Sequence, residues 1–112
     1  MTPEEKKLLK DIEQAILHID IHLEGRRNFQ EYTNNITKRR AVERELEIIG
    51  EATNNLLKIN TAIPLTSARK IVDLRNRVIH AYDDVDEIII WKVLVTDIPV
   101  LLQQVQQLLV PE

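Results

Sequence analysis

The sequence predicts an all-α protein, an up-and-down bundle of four to five helices. Aliphatic residues recur at helical spacing along most of the chain. Only two of the 112 residues are glycine, and 44% are hydrophobic although only 4% are aromatic. This length suits one hydrophobic core, so we expect a single helical domain over residues 1–112.

The composition excludes several functional classes. The chain has no cysteine, which removes disulfides, thiolate metal sites and cysteine nucleophiles and fits a reducing compartment. No leading apolar run resembles a signal peptide, and no stretch reaches the ~18 apolar residues of a membrane span. We therefore expect a soluble, cytoplasmic protein with no membrane partner.

The first predicted helix begins at the run from Thr2 to Glu5, where threonine can cap and proline suits the first helical position. It should continue to about Glu24 and stop near Gly25. His18 and His22 lie one turn apart on this helix. Such a pair can bind a metal, but no third ligand stands at a suggestive spacing. We predict no metal site and a solvated flank instead.

A polar connector, residues 26–35, should contain a short helical turn around Phe29 to Tyr32. The next long helix is predicted to span about Ile36 to Ile59. Gly50 inside it costs roughly 1 kcal/mol of helix propensity. We therefore expect Gly50 to let another helix approach closely.

The N-terminal half of this helix carries a basic patch. Between Glu24 and Ala81 basic residues outnumber acidic ones by eleven to seven, within a chain of net charge −3. Positive charge near a helix start opposes the macrodipole, which favours a partner outside the helix. Pairing with neighbouring acids is an equal alternative. The patch is Lys38, Arg39, Arg40 and Arg44, and the neighbouring acids are Glu43, Glu45 and Glu47.

Thr66 or Ser67 is expected to cap the following helix, which should end near Tyr82. An acidic turn follows, in which Asp84 or Asp86 can cap the last helix.

The last helix is predicted from Glu87 to about Leu109, with a broad apolar face. Pro99 should kink this helix or split it in two. A helix that is apolar nearly all round is either central in its bundle or part of a subunit interface. In so small a protein we favour the interface, and hence a dimer.

The stretch from Leu74 to Tyr82 concentrates Arg, Asn, His and Tyr in one helical segment. Asn76 and His80 are four residues apart and share a helix face. Arg75 instead points into the apolar arc of the helix. A charge at such a position is costly unless it is paired, so Arg75 needs a partner, a ligand or a neighbouring subunit.

These residue types suit phosphodiester chemistry. His80 can exchange a proton near neutral pH, and Arg75 offers a fixed fork for phosphate oxygens. Asn76 could orient the imidazole or touch the phosphate. A metal-free ribonuclease can use the RNA 2′-hydroxyl as nucleophile, and a two-fold dimer would supply a second histidine. Alternatively, the same residues are structural, and cap a helix end or pair with Asp83, Asp84, Glu47 or Glu51.

The motif resembles that of a known family. Arg75-Asn76, followed after three residues by His80-Ala81-Tyr82, resembles the R-x4-H-x-Y motif of HepT-like HEPN-domain proteins. These are the toxin half of the HepT–MntA toxin–antitoxin type. Residues 45–52 (ELEIIGEA) resemble the family's second-helix signature, and residues 96–99 (TDIP) resemble part of its last helix. The resemblance covers about Arg39 to Leu102.

The resemblance implies a homodimeric helical bundle whose two motif helices meet in a cleft. It implies metal-independent, cofactor-free cleavage of tRNA or mRNA, endo- or exonucleolytic. Arg75 and His80 would be catalytic, with Asn76 supporting them. RNA binding would then fall to basic side chains nearby, and we assign it to Arg77, Arg39, Arg40 and Arg44.

The resemblance also implies a cognate nucleotidyltransferase antitoxin of the MntA type, which transfers AMP from ATP to the motif tyrosine, here Tyr82. An added phosphate would place negative charge beside the arginines and keep RNA from the cleft. Two alternatives stay open: a non-catalytic helical scaffold for that partner, and a purely structural dimerisation domain.

Overall fold

The computed structural model describes residues 1–80 and 87–110, with the backbone alone for residues 77–80. The described residues form five α-helices and contain no strand, which confirms the all-α prediction. The helices are α1 (Pro3–His22), α2 (Phe29–Thr33), α3 (Ile36–Ile59), α4 (Ala68–His80) and α5 (Glu87–Leu109).

Side-chain caps fix the starts of the first three helices. The Thr2 hydroxyl oxygen accepts a hydrogen bond from the Glu5 backbone N–H at 3.1 Å, which begins α1 as predicted. Asn35 caps α3 in the same way, accepting from the Lys38 N–H at 3.0 Å. After α1, Glu24 and Gly25 both adopt left-handed conformations, with φ of 57° and +71°, and redirect the chain.

Helix α3 is the centre of the packing. Helix α1 packs against α3 and α5, and α4 packs mainly against α3. Leu9 is fully buried between these helices, whereas Leu8 is only partly covered. The other largest buried side chains of the core are Tyr32, Ile12, Ile19, Leu23, Leu46, Ile49, Leu56, Ile71, Ile90, Leu94 and Ile98.

Helix α5 runs through Pro99 without interruption, so the alternative of two separate helices is wrong. Its inner face belongs to the core, but Ile88 and Val95 on the outer side are 56% and 42% exposed. By length and composition α5 could also cross a membrane, with a mean hydropathy of 1.6 over its most apolar window. Core helices of soluble proteins pass the same test, so composition does not distinguish the two cases.

Short helix α2 packs against α3, and its aromatic rings contact α5. Tyr32 is buried, and its ring lies 5.3 Å from the ring of Trp91, centroid to centroid. Burial raises the pKa of the Tyr32 hydroxyl well above its ordinary value, and that hydroxyl has no partner among the described residues. Glu87, the first residue of α5, accepts hydrogen bonds from the Thr33 hydroxyl and from Arg39.

Candidate active site

The candidate site begins where α4 crosses α3 at Gly50. A methyl group built on Gly50 would overlap the Cβ and Cγ atoms of Arg75. The arginine stem therefore lies directly on the α3 backbone, in space that any other residue at position 50 would fill. The prediction that Gly50 permits a close helix approach is confirmed.

The guanidinium of Arg75 is held by two acceptors. Its Nη1 donates to Asn76 Oδ1 at 2.9 Å, and its Nη2 donates to the carboxylate of Glu51 on α3. The inner Nε is buried and has no partner among the described residues. The side chain of Arg75 is 24% exposed, so the arginine reaches the surface with its charge compensated from within the chain.

A groove of about 400 Å³ lies beside this arginine, lined by residues of α1, α3 and α4. Arg75 and Glu51 form part of its wall, together with Arg44, Glu47 and Asn55. The groove therefore presents both signs of charge next to an apolar floor.

Helix α4 carries the motif as predicted, as far as the structure describes it. Arg75, Asn76 and His80 all belong to α4, and His80 is its last described residue. Asn76 is exposed and contacts Arg75. The side chains of Arg77 and His80, and the whole of Tyr82, lie outside the described residues.

Two members of the basic patch pair with neighbouring acids on α3. Arg40 donates to Glu43 at 3.0 Å, and Arg44 donates to Glu47 at 3.1 Å. Both arginine side chains nevertheless remain about two-thirds exposed, at 67% and 69%. The pairing alternative therefore holds for these two residues, and solvent still reaches both guanidinium groups.

Arg39 differs from Arg40 and Arg44. Its side chain is 27% exposed and forms an ion pair with Glu87 at the start of α5. Hydrogen bonds from the Thr33 hydroxyl, first of all, and from Arg39 lower the pKa of the Glu87 carboxyl. The geometry makes Arg39 a link between α3 and α5.

The histidine pair of α1 has a carboxylate partner that the sequence did not indicate. His22 Nε2 lies 2.8 Å from Glu45 Oε2, and His18 Nδ1 lies 3.6 Å from the same oxygen. Glu45 is buried, so the predicted solvated flank is wrong for His22, whose side chain is only 32% exposed. Over residues 1–76 and 87–110, no group of three or more His, Asp or Glu residues could hold a metal ion.

Sequence reasoning missed the importance of Glu51, which it treated only as one possible pairing partner. The available signal was its place directly after Gly50, because a residue beside a close helix crossing can reach the neighbouring helix. The identity of the facing residue, Arg75, depends on how α3 and α4 cross.

An all-α bundle and a motif helix carrying Arg75, Asn76 and His80 agree with the resemblance to HEPN-type ribonucleases. Residues 12–108 match the family model described as Ribonuclease HepT-like. The chain belongs to this family and is an endoribonuclease of the HEPN type.

Proteins of archaea and bacteria share this similarity. The chain is 36% identical over 80 residues to a candidate RNase of Methanocaldococcus jannaschii, covering 70% of this chain and 73% of that protein. It is 36% identical over 100 residues to a candidate ribonuclease HepT of Thermococcus cleftensis, covering 84% and 86%. A candidate RNase of Caldanaerobacter subterraneus subsp. tengcongensis is 35% identical over 89 residues, covering 76% and 77%. No solved structure gives a significant match to the chain.

Proposed function

We propose that this protein, as one HEPN-like domain over residues 1–112, is the toxin of a type VII toxin–antitoxin system. It acts in the cytoplasm and cleaves tRNA or mRNA without a metal ion. The observation that carries the proposal is the placement of Arg75. Its aliphatic stem packs on Gly50. Its guanidinium is held by Glu51 of α3 and by Asn76 of α4, the helix that also carries His80.

In the proposed reaction, the RNA 2′-hydroxyl loses its proton and attacks the adjacent phosphorus. The bond between phosphorus and the 5′-oxygen breaks, and the products are a 2′,3′-cyclic phosphate and a 5′-hydroxyl that takes up a proton. Arg75 stabilises the charge that develops on the phosphate oxygens, and Asn76 keeps the guanidinium oriented. His80 transfers a proton to or from the reacting oxygens. The RNA backbone is attracted by Arg77 and by the exposed guanidinium groups of Arg40 and Arg44. Arg39 also belongs to this set, but it contributes less because its charge already has a partner, Glu87.

We further propose a homodimer in which the two motif helices face each other. One chain has a single histidine in the motif, whereas cleavage and product release require a proton to be both removed and delivered. The uncovered apolar side chains of α5, among them Ile88 and Val95, support a subunit contact along that helix. Analytical ultracentrifugation tests this step, and a monomer at micromolar concentration would contradict it.

The proposed antitoxin is a nucleotidyltransferase that transfers AMP to Tyr82. Tyr82 follows Arg75 by seven residues in the sequence, and a phosphate there would compete with RNA for the arginines. Mass spectrometry after incubation with the partner and ATP should show one added AMP on the wild-type chain. A Tyr82→Phe variant that gains AMP to the same extent would reject this site.

The catalytic assignment is tested with purified protein and total RNA. Arg75→Ala and His80→Ala should each lower the cleavage rate about 10²- to 10⁴-fold. EDTA should leave the wild-type rate unchanged. Melting temperatures decide whether a loss is local, because a variant that unfolds at the assay temperature is uninformative and is replaced by Arg75→Lys or His80→Gln. Cleavage that survives both pairs of substitutions would contradict the proposed site.

A further inference from the structure

Glu51 contacts the proposed phosphate-binding arginine from a different helix. Its carboxylate accepts from Arg75 Nη2, and it directly follows Gly50, on which the arginine stem lies. We infer that Glu51 is a positioning residue, one that orients Arg75 for the transition state and competes with RNA for the same charge. This inference rests on the ribonuclease function proposed above.

The orientation of the Arg75 guanidinium is set by the hydrogen bonds of its two outer nitrogens, Nη1 and Nη2. The stem is fixed by the crossing at Gly50, and Nε is buried without a partner among the described residues. Nη1 is held by Asn76 from α4 and Nη2 by Glu51 from α3. Two acceptors on two helices define the plane of the guanidinium. Each outer nitrogen carries a second hydrogen, which suits a bidentate contact with phosphate.

The other carboxylates of the groove have different cationic partners. Glu47 accepts from Arg44 at 3.1 Å, and Asp11 accepts from Lys7 at 2.6 Å. Glu51 is therefore the groove carboxylate that the described residues link to Arg75. Its side chain is 52% exposed, so a substrate phosphate beside Arg75 would meet Glu51 as well.

This arrangement has two opposite effects on the proposed reaction. A carboxylate next to the arginine repels an incoming phosphate and shares its hydrogen-bond donors, which weakens the binding of RNA. The same carboxylate holds the guanidinium in one plane, which favours the transition state over the ground state. Loss of the Glu51 charge should therefore tighten binding and slow cleavage. A merely structural ion pair would not separate these two quantities.

The test substitutes Glu51→Gln and measures binding and cleavage separately. Binding uses fluorescence anisotropy with a fully 2′-O-methylated oligoribonucleotide of mixed sequence, which lacks the attacking hydroxyl. Cleavage uses the unmodified oligonucleotide under single-turnover conditions. We expect the Kd to fall about two- to fivefold and the cleavage rate to fall about tenfold.

Glu13→Gln is the matched control, because it makes the same chemical change on α1 at a residue that does not line the groove. Its Kd and rate should both stay within about twofold of the wild type. An unchanged cleavage rate in Glu51→Gln would overturn the inference, and so would weaker binding that parallels the slower rate. If cleavage does not depend on Arg75 at all, the proposed function itself fails. If the cleavage rate falls in Arg75→Ala but is unchanged in Glu51→Gln, the inference about Glu51 fails and the proposed function stands.

Discussion

Gly50 and Arg75 are in direct contact across the α3–α4 crossing. The arginine Cβ and Cγ occupy the space that a side chain at position 50 would need. This contact answers the question of how a charged residue can occupy the apolar side of a helix. The stem of Arg75 is packed as an apolar group, and the charged end reaches Glu51 and solvent. A helix-weakening glycine thus sits beside the residue on which the proposed chemistry depends.

The first prediction concerns Gly50→Ala. The added methyl group must displace Arg75 or part the two helices, which costs about 1–3 kcal/mol, partly offset by about 1 kcal/mol of helix propensity. We expect a lower free energy of unfolding in urea and a cleavage rate reduced about ten- to hundredfold, because the guanidinium moves.

A double-mutant cycle identifies the cause of that loss. Combining Gly50→Ala with Arg75→Gly returns the missing space, so the pair should be more stable than the sum of the single changes by about 1 kcal/mol or more. Additive free energies would mean that the two residues do not clash and that the contact is misassigned.

Local signals predicted most of the fold. The caps at Thr2 and Asn35 and the turn at Gly25 each act within a few residues, so they are legible in sequence. Periodicity likewise located α3 and α5. In α1, the buried residues Leu9, Ile12, Ile16 and Ile19 follow the same three- and four-residue spacing.

Partners from different helices could not be predicted in the same way. The position of Arg75 on the helical wheel indicated that it needs a partner, and Glu51 was one of the acids considered. No spacing rule selects it from the others, because it lies 24 residues earlier in the sequence. Glu45 likewise contacts His22 although 23 residues separate them in the sequence, and no spacing rule predicts that contact. Such pairs depend on the crossing of helices, which propensity and periodicity do not determine.

The second prediction separates two arginines of the basic patch. Arg44 is exposed and loosely paired, so Arg44→Gln should leave the melting temperature nearly unchanged. It should weaken binding to a 2′-O-methylated oligonucleotide uniformly across sequences, and reduce the salt dependence of log K by about one unit. Arg39→Gln should do the reverse, because its charge joins α3 to α5: a lower melting temperature with little change in the salt slope.

Salt titrations of the two variants check this assignment directly. Equal salt slopes for the wild type and Arg44→Gln would remove Arg44 from the RNA-binding surface. A slope that changes only in Arg39→Gln would show that the paired arginine, not the exposed one, meets the RNA.

The third prediction is a pH dependence that involves Glu87. Its pKa is lowered from 4.5, chiefly by the Thr33 hydroxyl and then by Arg39, so the folded state prefers the charged carboxylate. The contribution is present above pH 4.5 and is lost as the pH falls through the lower, folded-state pKa. Glu87→Gln should therefore cost about 0.5–1 kcal/mol at pH 7, and this difference should shrink in acid.

Urea unfolding at pH 7 and at several values below 4.5 measures the effect. Thr33→Val, which removes the hydroxyl donor but keeps the side-chain shape, should reproduce part of the loss at pH 7. A difference between wild type and Glu87→Gln that is constant with pH would contradict the role of its ionisation.

The last prediction concerns the buried hydroxyl of Tyr32. It has no partner among the described residues, so Tyr32→Phe should keep the contact with Trp91 and leave stability at pH 7 unchanged or raise it by up to about 1 kcal/mol. Burial raises the pKa of Tyr32 above 10.0, so the unfolded chain ionises first. The wild type should lose stability as the pH climbs above 10.0, and Tyr32→Phe should lose less. Urea unfolding at pH 8 and pH 10.5 tests this, with Tyr32→Leu, which also loses the ring, as a control expected to be destabilised at both pH values. A Tyr32→Phe variant that is markedly destabilised at pH 8 would show that the hydroxyl is hydrogen-bonded after all.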